Sequence, residues 1–298
     1  MLRTGTYSIV ARDPATGQMG VAVQSHWFSV GSIVTWGEPG VGVVATQANV
    51  DPAYGPRALA LMRDGRPGPE ALARLLEQDA EAAVRQVAVV DAAGRCAVHT
   101  GADCIPFAGD VRGDASCCQA NMMASEGVWG AMSDAYEATE GSLTGRLLAA
   151  LDAAEAAGGD VRGRQSAALL VVGAEGEPWE REVELRVEDH ADPHGELRRL
   201  VAISDAYAEA TRGDWLTGQG RHEEAAPCYM RAAALAPDNH ELLFWSGLAT
   251  ALAGDVQTGA RRVAEAIEIE PGWGDLLPRL TPDAAPSAAA VLAALHER

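Results

Sequence analysis

A threonine can act as a nucleophile when its own α-amino group is free. That amine, with a pKa near ~8, accepts the hydroxyl proton at neutral pH and serves as the base for the adjacent oxygen. The stretch Gly5-Thr6-Tyr7-Ser8-Ile9-Val10-Ala11-Arg12 offers this arrangement, because a residue without a side chain precedes Thr6 and a strand begins at once. The chemistry requires loss of Met1 to Gly5. Glycine adds no bulk beside the attacking hydroxyl, so Gly5-Thr6 is the expected scissile bond. The plainer alternative is that Thr6 opens an edge strand and Gly5 is a flexible lead-in.

Two other stretches carry groups that could serve such a nucleophile. Gly159-Asp160-Val161-Arg162-Gly163-Arg164-Gln165-Ser166 concentrates a carboxylate, two guanidiniums, an amide and a hydroxyl in a turn before an apolar strand. Arginine clamps a carboxylate substrate in bidentate fashion; a salt-bridged structural loop is the competing reading. In Cys118-Gln119-Ala120-Asn121, Gln119 or Asn121 at a strand end could donate to a developing oxyanion, or satisfy buried loop backbone. Ser8, Ser25 and Thr46 are pocket-lining hydroxyls on this reading.

Other chemistries find less support. Asp189-His190-Ala191-Asp192-Pro193-His194 resembles a metal site, but Asp192 as a cap with Pro193 at the first helical position accounts for half of it. No fourth ligand for a tetrahedral ion is in sight, so neither metal nor cofactor is expected. The chain has no lysine, which removes Schiff-base and lysine general-base mechanisms. Phosphate-cradling loops, a G-x-S-x-G elbow and a dinucleotide fingerprint are missing.

The elements that must position these residues follow from hydrophobic periodicity. With 298 residues, 48% of them hydrophobic, the chain can bury a sizeable core in one large or two modest domains. A net charge of −19 argues against nucleic acid or an anionic membrane as partner, since both need a basic face. Five cysteines, odd in number and without a CxxC pair, read as reduced thiols. With no secretory signal and no apolar run of membrane-spanning length, a cytoplasmic location is expected.

Residues 6–12 and 19–25 predict a hairpin around Asp13-Pro14-Ala15-Thr16-Gly17, and 32–36 and 41–46 a second apolar strand pair. Helical spacing follows over 56–63 and 69–77, then strands at 85–90, 95–100 and 116–121. Helices over 125–138 and 142–157 precede strands at 166–172 and 182–188. Strands, helices, strands, helices, strands is the order of two stacked, mainly antiparallel sheets with helices on both outer faces. The expected fold is therefore α+β, a four-layer αββα sandwich over residues 4–203.

The remainder, 204–298, has another grammar. Gly213 and Gly247, Gly220 and Gly254, Ala232 and Ala266, and Pro237 and Pro271 are each 34 residues apart, the tetratricopeptide period. Two helical repeats are expected over 206–239 and 240–273, with a capping helix over 284–296. So short an array should lean on another surface, a partner protein or peptide or a second subunit.

Thr6 to Asp13, Gly20 to Ser25, Ala45-Thr46-Gln47, Tyr54-Gly55-Pro56-Arg57 and Arg162 to Ala168 together resemble the domain of unknown function 1028 family. That family is grouped with the N-terminal-nucleophile hydrolases, whose αββα sandwich has the element order above. The resemblance implies an amidohydrolase that cleaves a small amide or peptide-like bond through an acyl-enzyme on Thr6. In this picture Asn121 or Gln119 stabilises the oxyanion, Arg164, Arg162 and Asp160 bind substrate or steer the amine, and homo-oligomers are expected. Family members often begin with the threonine directly after methionine, whereas Thr6 lies behind five residues. Proteasome-type relatives use a lysine near the nucleophile, so here Arg57 or Arg164 would supply the positive field. The rival expectation is a non-catalytic ligand-binding sandwich whose helical tail is an interaction scaffold.

Overall fold

The computed structural model describes residues 3–297, and for Arg3 and Thr4 only the backbone. Met1 and Leu2, part of the segment whose loss the nucleophile requires, lie outside the described residues. The chain divides after Arg198 into two compact units, described separately.

In chain order the first unit contains β1 (Arg3–Thr4), β2 (Thr6–Arg12), β3 (Met19–Ser25), a helical turn α1 (Gly31–Val34), β4 (Thr35–Glu38) and β5 (Gly42–Asn49). Helices α2 (Tyr54–Arg63) and α3 (Gly68–Gln78) follow, then β6 (Arg85–Asp91), β7 (Cys96–Thr100), β8 (Gly109–Arg112) and β9 (Ser116–Asn121). Next come α4 (Val128–Ala138), α5 (Leu143–Ala156), β10 (Ser166–Val172), β11 (Val183–Val187) and the start of α6 (Pro193–Gly218).

The strands form two antiparallel sheets. One has six strands in the order β11-β10-β3-β2-β9-β8; the other has five, in the order β1-β5-β6-β7 with β4 also on β5. A buried apolar cluster joins them face to face, with Val10, Val21, Cys117 and Leu170 from the six-stranded sheet and Val43, Ala88 and Val90 from the other. On the far face of the five-stranded sheet, Val44, Val87 and Val89 pack against Ala58, Leu59, Leu72 and Leu75 of α2 and α3. Helices α4 and α5 pack on the six-stranded sheet through β2, β3, β8 and β9. Both sheets are thus covered on both faces, which is why β2, β3, β9 and β10 are buried along almost their whole length rather than in alternation.

Two short strands, β1 and β8, were not foreseen, and neither had a periodic signal to give. Residues 31–34 form a helical turn where the sequence pattern predicts the start of a strand. Val34 and the preceding Val30 still reach the inter-sheet cluster, so burial alone did not decide the conformation.

The second unit is helical. After the rest of α6 come α7 (His222–Leu235), α8 (His240–Leu252), α9 (Val256–Ile269), α10 (Gly272–Leu276) and α11 (Ala288–His296). Helix α9 reproduces the length of α7 34 positions on. Helices α8 and α9 approach so closely that a Cβ on Gly247 would come within 2.8 Å of the Gly259 carbonyl oxygen. Phe244 stacks on Trp273 at 4.6 Å in the core of this unit. No helix among the described residues is long and apolar enough to cross a membrane.

Candidate active site

Thr6 is the first residue of β2, fully buried, between Ser25 of β3 and Asn121 of β9 in the sheet register. Alternation along β2 turns Thr6, Ser8 and Val10 toward the five-stranded sheet, and Tyr7 and Ile9 toward α5. Thr6 Oγ1 donates to Ser25 Oγ at 3.1 Å. Ser25 Oγ in turn donates to the carbonyl oxygen of Gly5, and Arg162 Nη2 donates to the same oxygen at 3.0 Å. The carbonyl just before the candidate nucleophile therefore has two donors, one of them cationic, the geometry that stabilises negative charge on such an oxygen.

Arg162 is held in place by Asp160. Its Nε lies 3.0 Å from Asp160 Oδ1 and its Nη2 2.7 Å from Oδ2. The Asp160 carboxylate also accepts the Arg162 backbone N–H at 2.9 Å and that of His26 at 3.3 Å. Its side chain is fully buried. A buried carboxylate with a bidentate arginine and two backbone donors has little freedom to turn. The turn-forming glycines around it let residues 160–163 fold back on the start of β2.

Beneath Thr6 lies a seam of buried amides. Gln47 Nε2 donates to the Thr6 carbonyl oxygen at 3.1 Å and to Gln86 Oε1 at 2.7 Å, while Gln47 Oε1 accepts from Ser8 Oγ at 2.7 Å. Gln86 Nε2 donates to the Ala120 carbonyl oxygen at 2.9 Å and to Thr100 Oγ1 at 2.9 Å. Asn121 Nδ2 sits 3.0 Å from Gln86 Oε1 and 3.5 Å from the Thr6 carbonyl oxygen. Gln119 Nε2 donates to Ser8 Oγ and to the Ala45 carbonyl oxygen, each at 3.2 Å.

On the opposite face of β2, Tyr7 donates to Glu155 Oε2 at 2.7 Å and lies 3.2 Å from His194 Nε2. Burial, reinforced by the Glu155 carboxylate, raises the Tyr7 phenol well above its usual range. Burial pulls the His194 imidazole below its usual value, against the opposing pull of Glu155. Both groups are held neutral at physiological pH. His194 and His190 serve this packing and a local turn, His190 Nδ1 meeting the Asp192 backbone.

Thr6, Ser8, Ser25, Gln119, Asn121, Asp160 and Arg162 therefore converge. Their arrangement differs from the sequence expectation. Ser25 and Arg162, expected to line a pocket or hold substrate, are the groups on the Gly5 carbonyl, while the side-chain amides of Gln119 and Asn121 are engaged within the seam. Three residues stand apart. Thr46 has the opposite phase on β5 from Ala45 and Gln47, and its hydroxyl donates to the Asp51 carbonyl oxygen at 3.1 Å. Arg57 is exposed on α2, on the far side of the five-stranded sheet. Arg164 pairs with Asp192 at 3.0 Å and Glu155 at 3.7 Å, behind Tyr7. The sequence reading missed Gln47 and Gln86; the available signal was an amide in the inward phase of an otherwise apolar strand.

Next to the site is a cavity of about 320 Å³, lined in part by Ala48, Asn49, Cys104, Ile105, Asn121 and Met122. Four non-glycine residues among those described have positive φ, and two of them, Ala48 (68°) and Met122 (60°), are on this wall. Such conformations are costly for L-residues and gather at sites where the surrounding structure imposes them.

A mixed α/β unit built on two antiparallel sheets, with a buried polar site at the start of one central strand, defines the class. Residues 6–197 match the family model described as a family of unknown function, DUF1028, and the chain belongs to that family. Among solved structures it is similar to the crystal structure of protein SPO2555 from Silicibacter pomeroyi, assigned to the same family. The two share 35% identity over 66% of this chain and 88% of that one, with a TM-score of 0.61. No curated protein matches the chain.

Proposed function

We propose that this protein is an N-terminal-nucleophile amidohydrolase that first cuts its own Gly5–Thr6 bond and then hydrolyses small amide or peptide-like bonds. The observation that carries the reading is the pair of donors, Ser25 Oγ and Arg162 Nη2, on the Gly5 carbonyl oxygen, next to a buried threonine hydroxyl. The match to the family model supports it by beginning at Thr6 itself. The two stacked sheets with helices on their outer faces fit the αββα sandwich of that superfamily, although the fold alone does not carry an activity.

In the self-cleavage, Thr6 Oγ1 attacks the Gly5 carbonyl carbon, and the oxyanion forms between Ser25 and Arg162. The C–N bond breaks as the hydroxyl proton passes to the departing Thr6 nitrogen, leaving an ester on Thr6 Oγ1. Water adds to the ester, the C–O bond breaks, and the hydroxyl regains a proton as the preceding segment leaves as a carboxylate. The freed amine is then the base for the next attack, taking the Thr6 proton and delivering it to the leaving amine of a substrate. Arg162 supplies the positive field that lysine gives in proteasome-type relatives.

Intact mass and N-terminal sequencing of purified protein test the reading. The expected result is a chain that begins at Thr6, with the Thr6→Ala chain remaining whole. A wild-type chain that keeps Leu2 to Gly5 after prolonged incubation would favour the non-catalytic scaffold instead. We read the tail, from its 34-residue spacing and the matching offset of α7 and α9, as a tetratricopeptide-like pair that docks a protein or peptide or a second copy of the chain.

A further inference from the structure

We propose that the acyl side of the substrate is an extended peptide-like chain ending in a glycyl unit, read by the edge of β5 and by a wall that admits no side chain at the reacting residue. This rests on Thr6 as the nucleophile of the preceding subsection. In that chemistry the segment before Thr6 is the first acyl group carried on Thr6 Oγ1, and its ester is hydrolysed at that same oxygen. The place where this segment sits is therefore the place where the enzyme holds an acyl group.

At Gly5 that place is closed on three sides. A Cβ there would lie 2.6 Å from Arg162 Nη2, 2.8 Å from Asp160 Oδ2 and 2.9 Å from Met122 Cβ, all closer than real Cβ contacts. None of the three gives way freely. Moving Arg162 would break its bidentate pair with Asp160 and remove a donor from the carbonyl oxygen. Asp160 is fixed by the backbone N–H groups of Arg162 and His26. The Met122 Cβ moves only with its backbone, which is tied through its N–H to the Ile105 carbonyl and through its C=O to the Val161 N–H, each at 3.1 Å. A side chain at this position thus displaces the oxyanion donor instead of merely crowding the site.

The residues before Gly5 are recognised differently. Arg3 and Thr4 run antiparallel to Asn49 and Ala48 of β5, so the chain is bound as an added strand, through main-chain groups that any sequence can offer. Ala48 and Asn49 also line the 320 Å³ cavity, together with Met122. Selectivity therefore concentrates at the reacting α-carbon, with the extended backbone contributing affinity.

The test uses the full-length, self-processed protein and three fluorogenic amides of aminomethylcoumarin: Arg-Thr-Gly, Arg-Thr-Ala and acetyl-Gly. The glycyl tripeptide should have a kcat/KM about 100-fold or more above the alanyl one, from the cost of overpacking a closed site. Acetyl-Gly should show a raised KM from the lost strand addition. Gly5→Ala in the full chain should slow self-cleavage by a similar factor; the peptide series does not depend on that variant folding. A protein that cuts Gly5–Thr6 yet hydrolyses the alanyl amide as fast as the glycyl one would overturn the glycyl seat and leave the nucleophile reading standing. A wild-type chain that stays whole and turns over no amide would overturn both.

Discussion

The layer between the two sheets has two ends made by the same strands. At one end Val10, Val43, Val90 and Cys117 meet in an apolar cluster; at the other, Ser8, Gln47, Gln86 and Gln119 on those same four strands meet in a hydrogen-bonded seam. Both ends are buried. Apolar packing is non-directional and tolerates replacement by anything of similar volume. A buried amide instead demands a particular partner at a particular distance, because leaving one unsatisfied costs about 1–3 kcal/mol. One end holds the sheets together; the other fixes their register and the orientation of the first residues of β2.

The largest effect that would sharpen this contrast is expected at the polar end. Arg162→Ala should slow the proposed Gly5–Thr6 cleavage by roughly 10²–10³-fold, the usual consequence of losing an oxyanion donor, measured by mass spectrometry over time. Equal cleavage in the variant would remove Arg162 from that role. Gln86→Leu removes a hydrogen-bond partner from the Ala120 carbonyl and from the amides of Gln47 and Asn121, and should cost about 3 kcal/mol in urea unfolding while also slowing the proposed cleavage. Val90→Ala, at the apolar end, should cost about 2 kcal/mol and leave the cleavage rate unchanged. Slowed cleavage in Val90→Ala would show that the two ends are not separable.

The smallest effect concerns the outer face of β2. Because burial lowers the His194 pKa, the unfolded chain takes up the proton first as pH falls. The stability contribution is complete above about 6.5, the unfolded value, and is lost as pH drops below it toward the folded value. Below about pH 6.5, melting temperature should therefore fall more steeply in wild type than in His194→Gln.

The strands and helices that carry these residues were legible because their apolar periodicity is long and their turns are marked by glycine, proline and aspartate. The hairpin of β2 and β3 around Asp13 to Gly17 and the helix α5, expected over 142–157, are of this kind. The gathering of Thr6, Asn121 and Arg162 was legible only as a set of residue types. Which donor reaches the Gly5 carbonyl depends on how the 160–163 turn folds back across β2, and no local pattern encodes that. Thr46 and Gln47 show the limit clearly: adjacent polar residues on one strand, of which period two sends only Gln47 into the seam. The pairing of β1 with β5 had no signal at all, since two residues cannot display a period.

One consequence of the Gly5 carbonyl contacts concerns time rather than space. Its donors come from residues 20 and 157 positions further along the chain. Arg162 reaches it only after β2, β3 and the 160–163 turn have come together, and so only once the chain has been made through Arg162. On the proposed reading, a ribosome-bound fragment that stops short of Arg162 would keep its Gly5–Thr6 bond. The first bond this chain is proposed to break would thus act as a seal, opened only by a molecule already assembled around it.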